Sequence, residues 1–188
     1  MDIPAHRPYR HGDLPNAMRT AARAILDEGG LDNFGLRETA RRVGVSATAA
    51  YRHFTSKEDL LASVAADGYR ELRDHMEAAL DDKAPLASLG LAYLDFAQEK
   101  RGLFRLMFGP VLCERAKYPQ LDEAAQAIFE LLERASGGGS ETHSPQAVGG
   151  CALVHGLASL AIDGLIPKLQ ARELAEKVLR SSAAKRAN

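Results

Sequence analysis

The stretch LRETARRVGVSATAAYRHFTSKEDLL, Leu36 to Leu61, decides the fold. Leu36, Ala40 and Val43 recur at helical spacing and predict a short helix over Leu36–Val43. Gly44-Val45-Ser46 breaks it, because glycine accepts a positive backbone angle without a Cβ clash and Ser46 is a good N-cap for the next helix. That second helix runs from Ala47 to His53 and buries Ala50, with Phe54 turned inward. Two short helices joined by a glycine-containing turn make a helix-turn-helix. Ala40 is small where the helices must cross closely, and Val45 plugs the space between them. Ala47, Thr48, Ala49, Tyr51 and Arg52 are left facing outward.

Working outward, Asp13 can cap a first helix in which Leu14, Met18, Ala21 and Ile25 form the apolar face, ended by Gly29-Gly30. Residues 1–12 hold two prolines and no apolar period, and read as a disordered arm. Thr55 or Ser56 caps a long fourth helix that starts at Lys57 and buries Leu60, Leu61, Val64 and Leu72. Pro85 opens another, carrying Leu89, Tyr93 and Phe96, and a short piece comes after it from Leu103 to Phe108. Helices over Leu121–Ala135 and Pro145–Ile166 flank SGGGSETHSP, a flexible Gly/Ser loop. Pro167 ends the second of these, and Ala171–Ser181 reads as a last amphipathic helix. No strand alternation or internal repeat is visible, so the fold class is all-α: a helix-turn-helix unit (13–56), a helical domain (57–182) and a disordered tail (183–188).

The totals exclude several classes. At 188 residues and 46% hydrophobic content the chain can bury a sizeable core. No apolar run reaches the ~20 residues that span a bilayer, and the polar start MDIPAHRPYRHGD lacks the apolar middle of a signal peptide. Cys113 and Cys151 have neither metal-ligand spacing nor a disulfide framework, which suits a reducing cytoplasm. There is no nucleophile elbow, no phosphate loop and no carboxylate pair with a nearby histidine, so neither enzyme activity nor a cofactor is expected. The formal net charge of −1 conceals an asymmetry. From Gly35 to Lys57, Arg37, Arg41, Arg42, Arg52 and Lys57 face one acid, Glu38, a local +4, whereas Glu58 to Lys100 carries ten acids against four bases, a local −6. A basic patch inside an acidic chain attracts a polyanion at one face.

These residues carry a resemblance. From about Tyr9 to Tyr69, including YRHF and SKEDLL, the chain resembles the N-terminal DNA-binding domain of the tetracycline-repressor (TetR) family of transcriptional regulators. YRHGDL (Tyr9–Leu14) and CALVHGLASLAIDG (Cys151–Gly164) resemble the subgroup named for a Trp-His-Gly signature, with Cys151 at the tryptophan position. The resemblance implies that small residues let the second helix sink into the major groove, while Tyr51, His53 and Lys57 grip phosphates on its rim. Ala47, Thr48 and Ala49 fall where the family reads bases, and their methyl groups suit thymine. Arg37 could reach a guanine edge. Ser46 and Arg52 complete the expected interface. Gly35 stands where relatives often place a cap hydroxyl, so specificity should lean on Arg37 and on DNA shape.

The resemblance further implies a helical effector-binding and dimerisation domain. Gly149, Ala152, Gly156, Ser159 and Asp163 form a small-residue stripe that lets another helix approach, either in the subunit's own core or from a two-fold partner. A homodimer through Leu121–Ala135 and Pro145–Ile166 is expected, with Ile128, Leu131, Leu132 and Ala135 meeting the stripe. Tyr93, Phe96, Phe104, Met107, Phe108 and Phe129 offer aromatic and sulfur surface for a small-molecule effector, with His155 as a polar point. The expected function is a repressor released from a near-palindromic operator by that effector. The alternative is an architectural or cell-cycle factor on the same fold without an effector.

Overall fold

The computed structural model describes residues 13–137 and 144–184, and among these there is no strand. The expected arm (1–12), most of the Gly/Ser loop and residues 185–188 lie outside them. Nine α-helices are present among the described residues: α1 (Leu14–Gly29), α2 (Leu36–Val43), α3 (Ala47–Tyr51), α4 (Lys57–Ala78), α5 (Pro85–Glu99), α6 (Arg101–Phe108), α7 (Pro119–Ser136), α8 (Pro145–Ile162) and α9 (Lys168–Ala184). None is long and apolar enough to cross a membrane.

The first helix packs on α4 and on α2, and α2 in turn packs on α3. Asp13 caps α1 by accepting the Asn16 N–H at 3.2 Å, but the buried face of α1 is Met18, Ala22, Ile25 and Leu26, one step round from the expected Ala21. At five residues α3 is far too short to hold itself in water, since nucleation of a helix is costly. Ala50 and Phe54, both inside the core, clamp it instead. It ends at Tyr51 rather than His53, with Arg52 and His53 in the turn after it.

Most of the C-terminal domain is organised by α4, whose Val64, Tyr69, Leu72 and Met76 are fully buried. Along it lies α7. Ile128, Leu131 and Leu132 are spent in the subunit's own core, because the apolar side of α4 needs cover. The outer side of α7 shows polar residues such as Glu123, Gln126 and Glu130. The α8 helix stops four residues early, where the Leu165 N–H turns back to the Leu160 carbonyl at 2.9 Å. Beyond Pro167, α9 is longer than expected and packs on α5 and α8.

Candidate DNA-binding surface and effector cavity

The α2–α3 unit is built as its residues require. Gly44 takes φ +79° and ψ 28°, the left-handed corner where a Cβ is costly. Ser46 accepts the Ala49 N–H at 3.1 Å, capping α3, and Ser56 does the same for Asp59 at the start of α4. Asp59 in turn accepts the Thr55 N–H at 2.8 Å, so the joint between α3 and α4 is fixed from both sides. Gly35 caps α2 with no side chain, yet its carbonyl accepts the hydroxyl of Thr39 at 2.9 Å. Thr39 is fully buried, and its role was not visible in the sequence.

Arg37, Ser46, Thr48, Tyr51, Arg52 and His53 are all exposed on this unit, while Ala47, Ala49 and Lys57 are half-buried. Tyr51 is 47% exposed, an unusual position for a large ring beside a packed core. The positive patch is smaller than the residue count suggests. Arg41 lies 2.8 Å from Glu38, and Arg42 pairs with Glu28 of α1 at 2.7 Å and with Glu38 at 3.2 Å. Hydrogen bonds from Arg41 and then Arg42 hold the Glu38 carboxyl down at about 2. No ion pair engages Arg37, Arg52 or Lys57 among the described residues, and the Lys57 ammonium sits 5.7 Å from the centre of the Phe34 ring.

In the C-terminal domain the expected aromatic residues do converge. Phe104 and Phe108 lie 4.7 Å apart. His155 stacks on Phe104 at 5.5 Å, and Tyr93 meets Phe104 edge-on at 5.6 Å. The Tyr93 hydroxyl and His155 Nδ1 are hydrogen-bonded at 2.8 Å. Burial pushes the Tyr93 hydroxyl far above its usual range and holds the His155 imidazole below its own. Offset and edge-to-face contacts of this kind fill space. This is a packed cluster, and the open volume is elsewhere.

That volume is a cavity of about 570 Å³ between α5, α7, α8 and α9, bordered by Met76, Leu89, Leu132, Val154 and Leu179. Of the seven residues expected to hold an effector, Tyr93 alone borders it; Phe96, Phe104, Met107, Phe108, Phe129 and His155 do not. Phe96, Phe104 and Met107 are buried in the core. Lys83, Gly150 and Cys151 do border the cavity, and no motif or spacing marked them as lining residues. Burial pushes the Cys151 thiol up, the opposite of what a reactive cysteine needs.

Comparison with known proteins adds the family. Residues 19–64 match the model for bacterial regulatory proteins of the tetR family. Residues 86–181 match the model described as tetracyclin repressor-like, C-terminal domain. The second match covers half of the chain. The chain belongs to the TetR family.

A TetR-family assignment makes it a DNA-binding transcriptional regulator rather than an enzyme. The C-terminal match names no narrower subgroup. Among curated relatives, the HTH-type transcriptional activator FasR of Mycolicibacterium smegmatis is 26% identical over 167 residues, covering 84% of this TetR-family chain and 71% of FasR. The HTH-type transcriptional regulator Rv1816 of Mycobacterium tuberculosis is 37% identical over 60 residues, 32% of this chain and 25% of that protein. Two solved structures share the fold over nearly the whole chain. A protein with unknown function from Rhodococcus sp. RHA1 is 28% identical with a TM-score of 0.73, covering 93% of this chain and 97% of its own. A TetR transcriptional regulator from the same organism is 18% identical with a TM-score of 0.64, covering 88% and 92% respectively.

Proposed function

We propose that this TetR-family chain is a homodimeric repressor that leaves its operator when a small molecule enters the C-terminal cavity. The observation that carries the DNA reading is the outward set of Arg37, Thr48, Tyr51, Arg52 and His53 at one end of a unit whose remaining arginines are already paired. In this reading Tyr51, His53 and Lys57 hold phosphates, Arg37 reads a guanine edge, and the methyls of Ala47, Thr48 and Ala49 line the groove. Ser46 keeps α3 in register. The unit 13–56 does the binding, and 57–182 senses and dimerises.

The dimer surface is best placed on α8 and α9 rather than α7. Gly149 and Ala152 of the stripe are exposed and Gly156 and Ser159 half-buried, while Val154, Ala158 and Ala161 of the same helix serve the subunit core. Alongside, Leu165 and Leu169 are 71% and 78% exposed, and Leu160, Leu174 and Val178 also face outward. Apolar surface grouped in this way marks an interface. Two copies so joined present two α3 helices, and half-sites ~34–36 Å apart or a multiple of that make a near-palindromic operator.

Activation in place of repression is a second reading, favoured by the name of the FasR relative. Selection of bound fragments from random DNA identifies the operator. A reporter carrying that operator then separates the two modes, since deleting the regulator raises expression in one and lowers it in the other. Selection that returns no preferred sequence would overturn the operator reading.

A further inference from the structure

We propose that the C-terminal cavity takes a molecule with an apolar body and one anionic terminus, the anion resting at the rim beside Lys83. The inference rests on the cavity being the effector site. Its wall is aliphatic, with residues such as Leu89, Leu132, Val154 and Leu179 turned inward, and its polar side groups are few: Lys83, Tyr93 and Cys151. The Tyr93 hydroxyl is already committed to His155 Nδ1 at 2.8 Å. Among the described residues, no carboxylate, amide or hydroxyl side chain other than tyrosine borders the space. A ligand placing several polar groups inside would leave them unpaired, and each unpaired buried polar group costs binding. The body must therefore be apolar.

The sign of the terminus is set by the rim. Lys83 is exposed and is the cavity's single charged neighbour among the described residues. Among the described residues the nearby acids do not border the cavity itself. Asp81 accepts the Lys83 backbone N–H at 3.0 Å, which ties its carboxylate into the α4–α5 loop. Asp82 and Glu77 border an adjoining hollow that shares Pro85 and Ala135 with the cavity wall, and there Arg134 lies 3.5 Å from Glu77. A cation seated in the cavity would be desolvated with no carboxylate among the described lining residues, whereas an anion at the mouth finds an ammonium. The α8 wall also leaves room: a Cβ placed on Gly150 would meet nothing within 4 Å.

Isothermal titration of the purified full chain with decanoate, 1-decanol and decylammonium, each below its micellar concentration, tests this. Decanoate should bind tightest, with decylammonium weaker by about fivefold or more, the scale of an exposed charge contact. Lys83→Glu should reverse that order. Gly150→Leu, which fills open space without touching backbone, should abolish all three heats while far-ultraviolet circular dichroism stays unchanged. The proposal is overturned if decylammonium or decanol binds the parent as tightly as decanoate, if Lys83→Glu leaves the ratio unchanged, if Gly150→Leu leaves binding intact, or if none of the three binds. Operator affinity with and without decanoate is read separately. Binding with the expected preference but unchanged operator affinity would sink the effector role and leave the ligand class standing.

Discussion

Lys57, the first residue of α4, holds its ammonium 5.7 Å from the centre of the Phe34 ring, which is buried just ahead of α2. A cation over an aromatic face is held in place without losing its charge. The contact therefore orients Lys57 at the edge of the DNA-binding unit while leaving it able to meet a phosphate. Lys57→Ala should weaken binding to every DNA sequence alike and lower the salt slope by about one. Arg37→Ala should instead relax preference at a single base pair by about 1–3 kcal/mol. Fluorescence anisotropy against salt and against a set of operator variants separates the two. Parental behaviour in both mutants would move the groove contact elsewhere.

Acid should loosen the DNA-binding unit through Glu38. Its carboxyl is held at about 2 in the fold, by hydrogen bonds from Arg41 and Arg42, against 4.5 for the free group. Below about 4.5 the unfolded chain takes up a proton that the folded chain refuses. Stability is therefore intact above that point and is lost as pH falls toward 2. Glu38→Gln should melt lower than the parent at pH 6, and should lose less on going from pH 5 to pH 3. An equal loss in both proteins would show that the arginine pairs do not govern acid sensitivity.

Gly156→Leu is a clean probe of the dimer, because a Cβ at Gly156 meets nothing within 4 Å inside the subunit. The variant should keep its helical circular dichroism and become monomeric by light scattering at micromolar concentration, as overpacking an interface costs about 1–3 kcal/mol. A variant that stays dimeric places the interface off the α8 stripe.

Gly102 tests how tightly α6 is wedged beneath α1. A Cβ there would stand 2.8 Å from the Leu26 carbonyl oxygen and 2.9 Å from Asp27 Oδ1. Alanine in place of a helical glycine ordinarily gains up to about 1 kcal/mol. Here the crowding opposes that gain and costs about 1–3 kcal/mol. Gly102→Ala should lower the melting temperature by a few degrees. A rise for Gly102→Ala would mean that the two helices separate freely.

The helix-turn-helix was legible because each of its signals is local. Gly44, Ser46 and Ser56 act on backbone within three or four residues, and all three stand where the pattern put them. Boundaries set by tertiary contacts were less so. The buried face of α1 runs through Ala22 because of what α2, α4 and α6 present to it, and α9 runs three residues further on each side because α5 and α8 cover it. The cavity was the least legible part. Its wall draws on Met76, Tyr93, Leu132, Cys151 and Leu179, more than a hundred residues from first to last, and no periodicity within one helix reports that convergence. Aromatic content pointed instead to Phe104 and Phe108, which fill space against each other and His155.

Tyr93 borders the cavity and is hydrogen-bonded through its hydroxyl to His155. The chain contains no tryptophan, so its near-ultraviolet spectrum comes from five tyrosines and six phenylalanines. A guest in the cavity changes the polarity around one of those five phenols. The protein thus carries its own chromophore at the cavity wall, and occupancy can be followed as a difference spectrum near 280 nm, without a dye or an attached label.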